Sequence, residues 1–421
     1  MSKTPFHFAS GDGSAFSLAL KLQREGHPVT WDVKTPEARY LGRGYLKMAS
    51  APVRGAVVIF DTTQRGVEGA AYRKKGHLVI GGNPFDKPLE IDRAFGAKVM
   101  RDAGIKVPET YPFHDIPSAI KFLDTVDGAW FVKVSADVGE CDTYDAADPE
   151  AMIRYLEWVQ TVGEVHPFEL QRKTTGTEVS CNGWFDGREF VPPFDITIEE
   201  KKLLTGDVGP RTGCESCVVW HASNSKLADL TVKRIADVLR RERYQGPIDL
   251  NSLVDANGDP VGLEWSARLG FDATQAWMHL FQGDLGEQLE AFAAGDLPEW
   301  EPSDQRHLSG TLRVTIPPYP GEDKKGHAKT KGLPLDPRVM SDTIFDPTDV
   351  MKGDDGLPAA AGSCGIVGTV NYTGHHLEHV QTHMLATARS LEIPQAQFRV
   401  DPLSRAERDM ASLEKLGLLG R

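Results

Sequence analysis

Glu264, Ser266 and Arg268 alternate through the stretch Gly262-Leu263-Glu264-Trp265-Ser266-Ala267-Arg268. In a β-strand, residues two apart point to the same sheet face. An acidic group, a second oxygen ligand and an arginine at a strand end can hold Mg²⁺ and a phosphoryl group together. The plainer alternative is a solvated hairpin with ordinary charges. Lys133 stands amid apolar neighbours in Trp-Phe-Val-Lys-Val. It is either an edge residue that snorkels to water or a phosphate contact.

These residues need strands to position them. Residues 247–254 alternate apolar and polar, as a half-buried strand does. Asp255-Ala256-Asn257-Gly258-Asp259 supplies hairpin turn chemistry, and 261–265 reads as the returning strand. Upstream, 6–9 reads as a strand, 10–14 as a turn, and 15–24 as a helix that buries Phe16, Leu18, Leu20 and Leu22. Gly11-x-Gly13 is only the front half of a dinucleotide fingerprint, since Phe16 takes the place of the third glycine. A structural βα turn is the simpler account. With strands at 57–60 and 78–81, the first unit is a small doubly wound domain ending near Pro88.

Helices are expected over 89–103, 118–126 and 227–241, and strands over 130–134, 168–171 and 178–184. The loop at 135–141 carries one glycine and makes a poor phosphate cradle. Residues 199–213 are too long and polar for a simple connection, which predicts a functional lid or a disordered insert. Strands at 312–316 and 365–371 and helices at 376–391 and 403–416 compose a closing domain.

Composition excludes several classes. The 421 residues carry a net charge of −13, unlike the basic balance of most nucleic-acid binders. No apolar run approaches a membrane span, and the first residues lack the apolar stretch of a signal peptide. Five cysteines in so long a chain make no disulfide framework, and the expected compartment is the cytoplasm. Cys214-x-x-Cys217 reads as cysteines in a substrate loop rather than half a zinc site or a redox pair. His375, His376, His379 and His383 suit a capped surface helix, and the lysines at 324, 325, 329 and 331 a solvated linker.

Taken in order, Lys133, the turn at 174–178, Gly209-Pro210-Arg211-Thr212-Gly213 and Gly262 through Gly270 resemble the motifs of an ATP-grasp ligase. Within that superfamily the chain resembles phosphoribosylamine–glycine ligase (glycinamide ribonucleotide synthetase) over nearly its whole length. Asp92-Arg93-Ala94-Phe95, Thr274-Gln275 and Gly374-His375 belong to the same resemblance. It implies an α/β (α+β) ATP-grasp fold in three parts. These are an N-terminal Rossmann-like (pre-ATP-grasp) domain at 1–88, an ATP-grasp domain at 89–300 with its lid at about 109–172, and a small C-terminal α/β domain at 301–421.

The same resemblance implies ATP and Mg²⁺ (or Mn²⁺) as cofactors. Small-molecule amino acid and amine substrates follow, with neither nucleic acid nor membrane as partner, in a monomer or small homo-oligomer. Arg93, where the family usually has lysine, and Lys133 would contact the ATP phosphates. Gln171 would lie beside the adenine and Glu178 would accept the ribose hydroxyls. Glu264 would ligate the metal, with Ser266 as second ligand where the family usually offers asparagine. Arg268 would hold the transferred phosphoryl group. Gly11, Gly13 and Ser14, with Asp207, Gly209, Pro210, Arg211, Thr212 and Gly213, would face the substrates.

Two departures bear on the substrate. The family's Arg-Glu-His run in the first βα turn is Ser14-Ala15-Phe16 here, and its Gly-Gly-Met-Gly is Gly213-Cys214-Glu215-Ser216. The resemblance thus implies an ADP-forming carboxylate–amine ligase that works through an acyl phosphate, as in purine biosynthesis. The departures keep open a ligase joining an amino acid such as glycine to a different amine, or a degenerate, non-catalytic nucleotide-binding protein.

Overall fold

The computed structural model describes residues 3–134, 143–162, 166–296, 307–321, 323–341 and 343–420. The loop at 135–141 lies outside the described residues.

Short apolar strands that return through helices must pair in parallel. Accordingly β1 (Phe6–Ser10), wholly buried, is central in a parallel sheet. Its neighbours β2 (Val29–Val33), β3 (Lys47–Met48), β4 (Val57–Phe60) and β5 (Leu78–Ile80) give the order β3-β2-β1-β4-β5. Helix α1 (Phe16–Arg24) buries the four apolar residues expected of it, and α2 (Gly66–Lys74) connects β4 to β5.

The single helix expected over 89–103 is two, α3 (Asp86–Ile91) and α4 (Arg93–Asp102). Asp92 adopts φ −81°, ψ 92°, and its carboxylate accepts the N–H of Phe95, capping α4. Arg93 therefore opens a helix instead of sitting within one. The segment expected to form the lid follows: β6 (Thr110–Phe113), α5 (Ile116–Leu123), β7 (Trp130–Val134), β8 (Tyr144–Ala146), α6 (Pro149–Val162) and β9 (Phe168–Arg172). Its four strands run β6-β9-β7-β8 over a separate small core that includes Ile116, Trp130, Met152 and Leu170.

The rest is organised by one eight-stranded sheet. It is built from β10 (Thr177–Phe185), β11 (Phe190–Leu204) and β12 (Val208–Ala222), then, past α7 (Lys226–Leu230) and α8 (Ala236–Arg241), β13 (Gly246–Val254) and β14 (Pro260–Ser266). After α9 (Ala273–Met278) and α10 (Leu285–Ala294) come β15 (Leu308–Thr315), α11 (Lys324–Lys329) and β16 (Phe345–Pro347). A ribbon of β17 (Val350–Lys352) and β18 (Pro358–Ala360) precedes β19 (Ile366–Gly374), α12 (Leu377–Ser390) and α13 (Ala406–Lys415). The order is β14-β13-β10-β11-β12-β15-β19-β16, so the C-terminal strands extend the sheet that carries Glu264.

Three expectations change here. Residues 199–213 are neither lid nor disordered insert: they are the paired ends of β11 and β12, closed by a turn with Gly206 and Asp207 at positive φ. Register shifts at Glu200/Lys202 and Lys202/Leu204 break the strand alternation, which is why the charged run looks like a loop. The helix expected at 227–241 breaks at Thr231 (φ −124°, ψ −104°), whose hydroxyl donates to the Leu227 carbonyl at 2.6 Å. The lysines of the expected linker dock the C-terminal part on the first domain. Lys324 pairs with Glu37 at 3.0 Å, and Lys331 lies 3.6 Å from the centre of the Tyr40 ring.

Candidate functional site

Strand alternation sorts the large sheet into two faces. Cys181, Ile196, Ile248, Leu250 and Trp265 enter the apolar core. Their neighbours form lateral rows on the other face, because paired residues in adjacent strands share a side. One row runs Ser266, Asp249, Asn182, Asp195, His221 across β14-β13-β10-β11-β12. The next runs Glu264, Asn251, Ser180, Thr197, Val219. A polar face that is covered rather than solvated is a site candidate.

At one end of this face the lid closes a cleft of about 510 Å³, lined among others by Arg93, Lys133, Gln171, Glu178, Lys201 and Glu264. Its electrostatic centre is Lys201, which lies in the charged 199–213 run and is not among the residues that the resemblance implies for the site. Its Nζ lies 2.9 Å from Glu178, 3.6 Å from Glu264 and 3.7 Å from Glu199. Lys201 holds the Glu264 carboxyl down at about 2, against the opposing effect of burial. Burial would raise Glu178, but Lys201 and the Asn251 amide (3.1 Å) bring it to about 2 as well. Burial pulls Lys201 down, but its three carboxylates raise it by more, leaving its ammonium firmly charged. Glu199 has no such surplus: burial pushes it up to about 7.

Lys133 is lowered to about 8, first by burial and then by the neighbouring Arg93 and Lys201 charges, with Glu264 opposing. The Nε of Arg93 is buried without a hydrogen-bond partner. Two cations short of partners, facing ionised carboxylates across a cleft this size, fit a polyphosphate and its divalent ion. Arg93 and Lys133 would take the phosphates, and Glu264, 47% exposed toward the cavity, would take the metal. Gln171 is buried at the lid edge and its amide donates to Thr110 at 3.3 Å.

Arg268 is brought to the same face, but its Nε pairs with Glu90 at 2.8 Å, its Nη1 donates to the Leu269 carbonyl, and it lies over Phe271. Ser266 stands beside it and lines both the inner cavity and the space against α3 and α4. Of the β11–β12 hairpin, Arg211, Thr212 and Gly213 reach the cleft. Gly209 and Pro210 are exposed at the hairpin end, and Asp207 is drawn to the C-terminal segment by Arg399 (2.8 Å) and Arg405 (3.2 Å). A positive-φ turn at 206–207 turns Asp207 that way, and nothing in the local sequence signals its two arginines.

Gly11, Gly13 and Ser14 have a different environment from the one expected. Asp61, 1% exposed at the end of β4, lays its carboxylate against the start of α1. It accepts the N–H of Gly11 (2.9 Å) and of Ala15 (3.2 Å), and the hydroxyl of Ser10 (2.5 Å), which itself accepts the N–H of Gly13. The turn's anion-binding donors are thus taken by the chain's own carboxylate. Burial, with Asp12 adding to it, raises Asp61 to about 6. Phe16 is fully buried against Trp31, and Arg65 is committed to Asp32 and Glu68.

Cys214 and Cys217 are buried thiols in an apolar cluster with Val219, Ala276 and Leu280. Among the described residues the group of three potential metal ligands is Glu25, His27 and Asp284, where Lys3 already pairs with Asp284. No helix of the described residues is long and apolar enough to cross a membrane.

No family model matches the chain. It is 24% identical to phosphoribosylamine–glycine ligase of Salmonella typhimurium over 305 residues, 69% of this chain and 70% of that one. It is 27% identical over 272 residues to the human trifunctional purine biosynthetic protein adenosine-3, which takes in 60% of this chain but only 26% of that longer protein. Among solved structures it resembles phosphoribosylamine–glycine ligase from Thermotoga maritima, with a TM-score of 0.71 at 17% identity, covering 95% of this chain and 100% of the other. The biotin carboxylase–β,γ-ATP complex from Campylobacter jejuni gives 0.63 at 14%, over 99% and 95%. The fold is ATP-grasp: a parallel N-terminal sheet, a lid, and a large antiparallel sheet.

Proposed function

We propose that this protein is an ATP-dependent, ADP-forming ligase that joins a carboxylate to an amine through an acyl phosphate. The observation that carries this is the cleft in which Arg93 and Lys133 face the Lys201–Glu178–Glu264 cluster. Relatives named as phosphoribosylamine–glycine ligases support it at the level of reaction class.

Bound MgATP supplies the phosphoryl group that activates the carboxylate. The protein's part is positioning and charge neutralisation, with no nucleophile of its own required. Lys133 and Arg93 hold the phosphates from the lid and from the start of α4. Glu264, kept ionised by Lys201, would hold the divalent ion, and Ser266, two residues on, would offer a second oxygen. Arg268, fixed by Glu90 and the Leu269 carbonyl, keeps a cation on the side where charge builds up during transfer. Gln171 and Glu178 flank the nucleoside end of the cleft.

One observation separates two versions of the reaction. Phosphoribosylamine carries a 5′-phosphate of nearly two negative charges, and the turn at Gly11–Phe16 already holds Asp61. We therefore favour a different amine over the purine-pathway substrate. Calorimetry with ATP and Mg²⁺ tests the nucleotide site; absence of heat and of any thermal upshift at millimolar nucleotide defeats the ligase reading. ADP release with glycine and freshly generated phosphoribosylamine, beside a panel of other amines, tests the second point. Efficient turnover of phosphoribosylamine restores the purine-pathway version.

A further inference from the structure

Behind Glu264, away from the lid, the polar face of the large sheet continues into an inner cavity of about 150 Å³. A cavity of that size holds a ligand of about six non-hydrogen atoms, as a benzene-sized void does. Its walls are acidic: Asp195, Glu199 and Asp249 line it, and Glu264 stands at its junction with the nucleotide cleft. The two cations that also line it have carboxylate partners. Lys201 is held by Glu178 at 2.9 Å and Arg268 by Glu90 at 2.8 Å.

Asp195 is the sharpest feature. It is 3% exposed, and its Oδ2 accepts the Asn182 amide at 2.7 Å. Its Oδ1 is buried without a hydrogen bond, and 3.2 Å from it lies His221 Nε2, which forms an ion pair with it only when the imidazole is protonated. A buried carboxylate oxygen without a hydrogen bond is costly unless a donor or cation occupies the space in front of it. Asp249 lies two strands away in the same lateral row, with Asn182 between them. Trp184 and Trp277, stacked with ring centres 5.0 Å apart, line the same cavity and offer an apolar and cation-attracting wall. A primary ammonium carries three donors and one positive charge, which matches acids on several sides of so small a space.

We propose that this cavity binds the primary ammonium end of a small organic cation, presented beside Glu264 for ligation. The assignment of that cation as a substrate rests on the ligase reading; the binding itself does not. The ammonium belongs either to the acceptor amine or to the amino acid whose carboxylate is activated.

Calorimetry on the full chain with three probes decides it: propylamine, its neutral counterpart propan-1-ol, and glycine. Propylamine is expected to bind at least about tenfold more tightly than propan-1-ol, with one site per chain. Asp195→Asn is expected to weaken propylamine about tenfold while leaving propan-1-ol and the MgATP heat unchanged, and Asp249→Asn provides the same readout should the first variant fold poorly. Glycine binding more tightly than propylamine identifies the amino acid as the source of the ammonium; the reverse identifies the acceptor amine. Equal affinity for amine and alcohol, no binding of either amine, or an Asp195→Asn variant that binds propylamine normally overturns the proposal. Loss of the MgATP heat alone, with propylamine binding intact, defeats the ligase reading and leaves the cavity assignment standing.

Discussion

Two regions of this chain gather groups that attract an anion, and they end in opposite states. At the first βα turn, N–H groups and a helix start converge, and Asp61 fills the position from 50 residues along the chain. In the cleft under the lid, the Arg93 Nε has no hydrogen-bond partner and Lys133 is held partly desolvated, short of compensating charge. The physics of attraction is the same in both. The difference is whether the protein has satisfied it internally, and only the unsatisfied region can bind a ligand with a net gain.

The most severe way to break the cleft is Glu264→Gln. ADP release is expected to fall by at least about 10³-fold, the scale for losing a group that meets transition-state charge directly. The melting temperature should hardly move, since Glu264 faces the cavity and Lys201 keeps its closer contact with Glu178. A lower melting temperature with turnover spared would make Glu264 a structural ion-pair partner instead.

Lys133→Met removes a cation without adding a competing polar group. Turnover is expected to drop about 10²-fold, with MgATP affinity, read by calorimetry, falling alongside. Wild-type affinity in the variant would remove Lys133 from the phosphate site.

The turn is broken the opposite way, by emptying it. Asp61→Ala leaves buried N–H groups without an acceptor and is expected to cost about 1–3 kcal/mol in urea denaturation. Millimolar sulfate should recover part of that loss in the variant and do nothing for the wild type. Equal stabilisation of both by sulfate would mean that Asp61 does not block the turn.

A smaller effect sharpens the comparison through pH. Lys133 is charged below about 8 and loses its proton above it, so MgATP affinity should weaken from pH 7 to pH 9, by no more than about tenfold per unit. Stability moves the other way: between about 8 and its ordinary 10.5 the unfolded chain binds a proton that the folded one does not, so this lysine adds stability as pH rises. Lys133→Met should flatten the affinity profile; an unchanged slope would assign the titration to another group.

The sequence by itself determined what depends on local periodicity. The 247–254 alternation, the Asn-Gly turn and the spacing of Glu264 and Ser266 produce the hairpin β13–β14 with both side chains on one face, because strand geometry alternates whatever lies across from it. The apolar run of α1 and the short strands around it likewise made a parallel unit legible. Tertiary structure alone decided what depends on register between distant strands. Bulges beside Lys201 hide β11 in a charged run, so the lysine that ionises Glu178 and Glu264 looked like part of a loop. Asp195 and Asp249 are 54 positions apart and unremarkable until β10 aligns them through Asn182. Asp61 likewise closes a turn that the glycine spacing left open to a phosphate. Charge acts through space and falls off within ångströms, so a carboxylate's role is set by whichever side chains the sheet brings beside it.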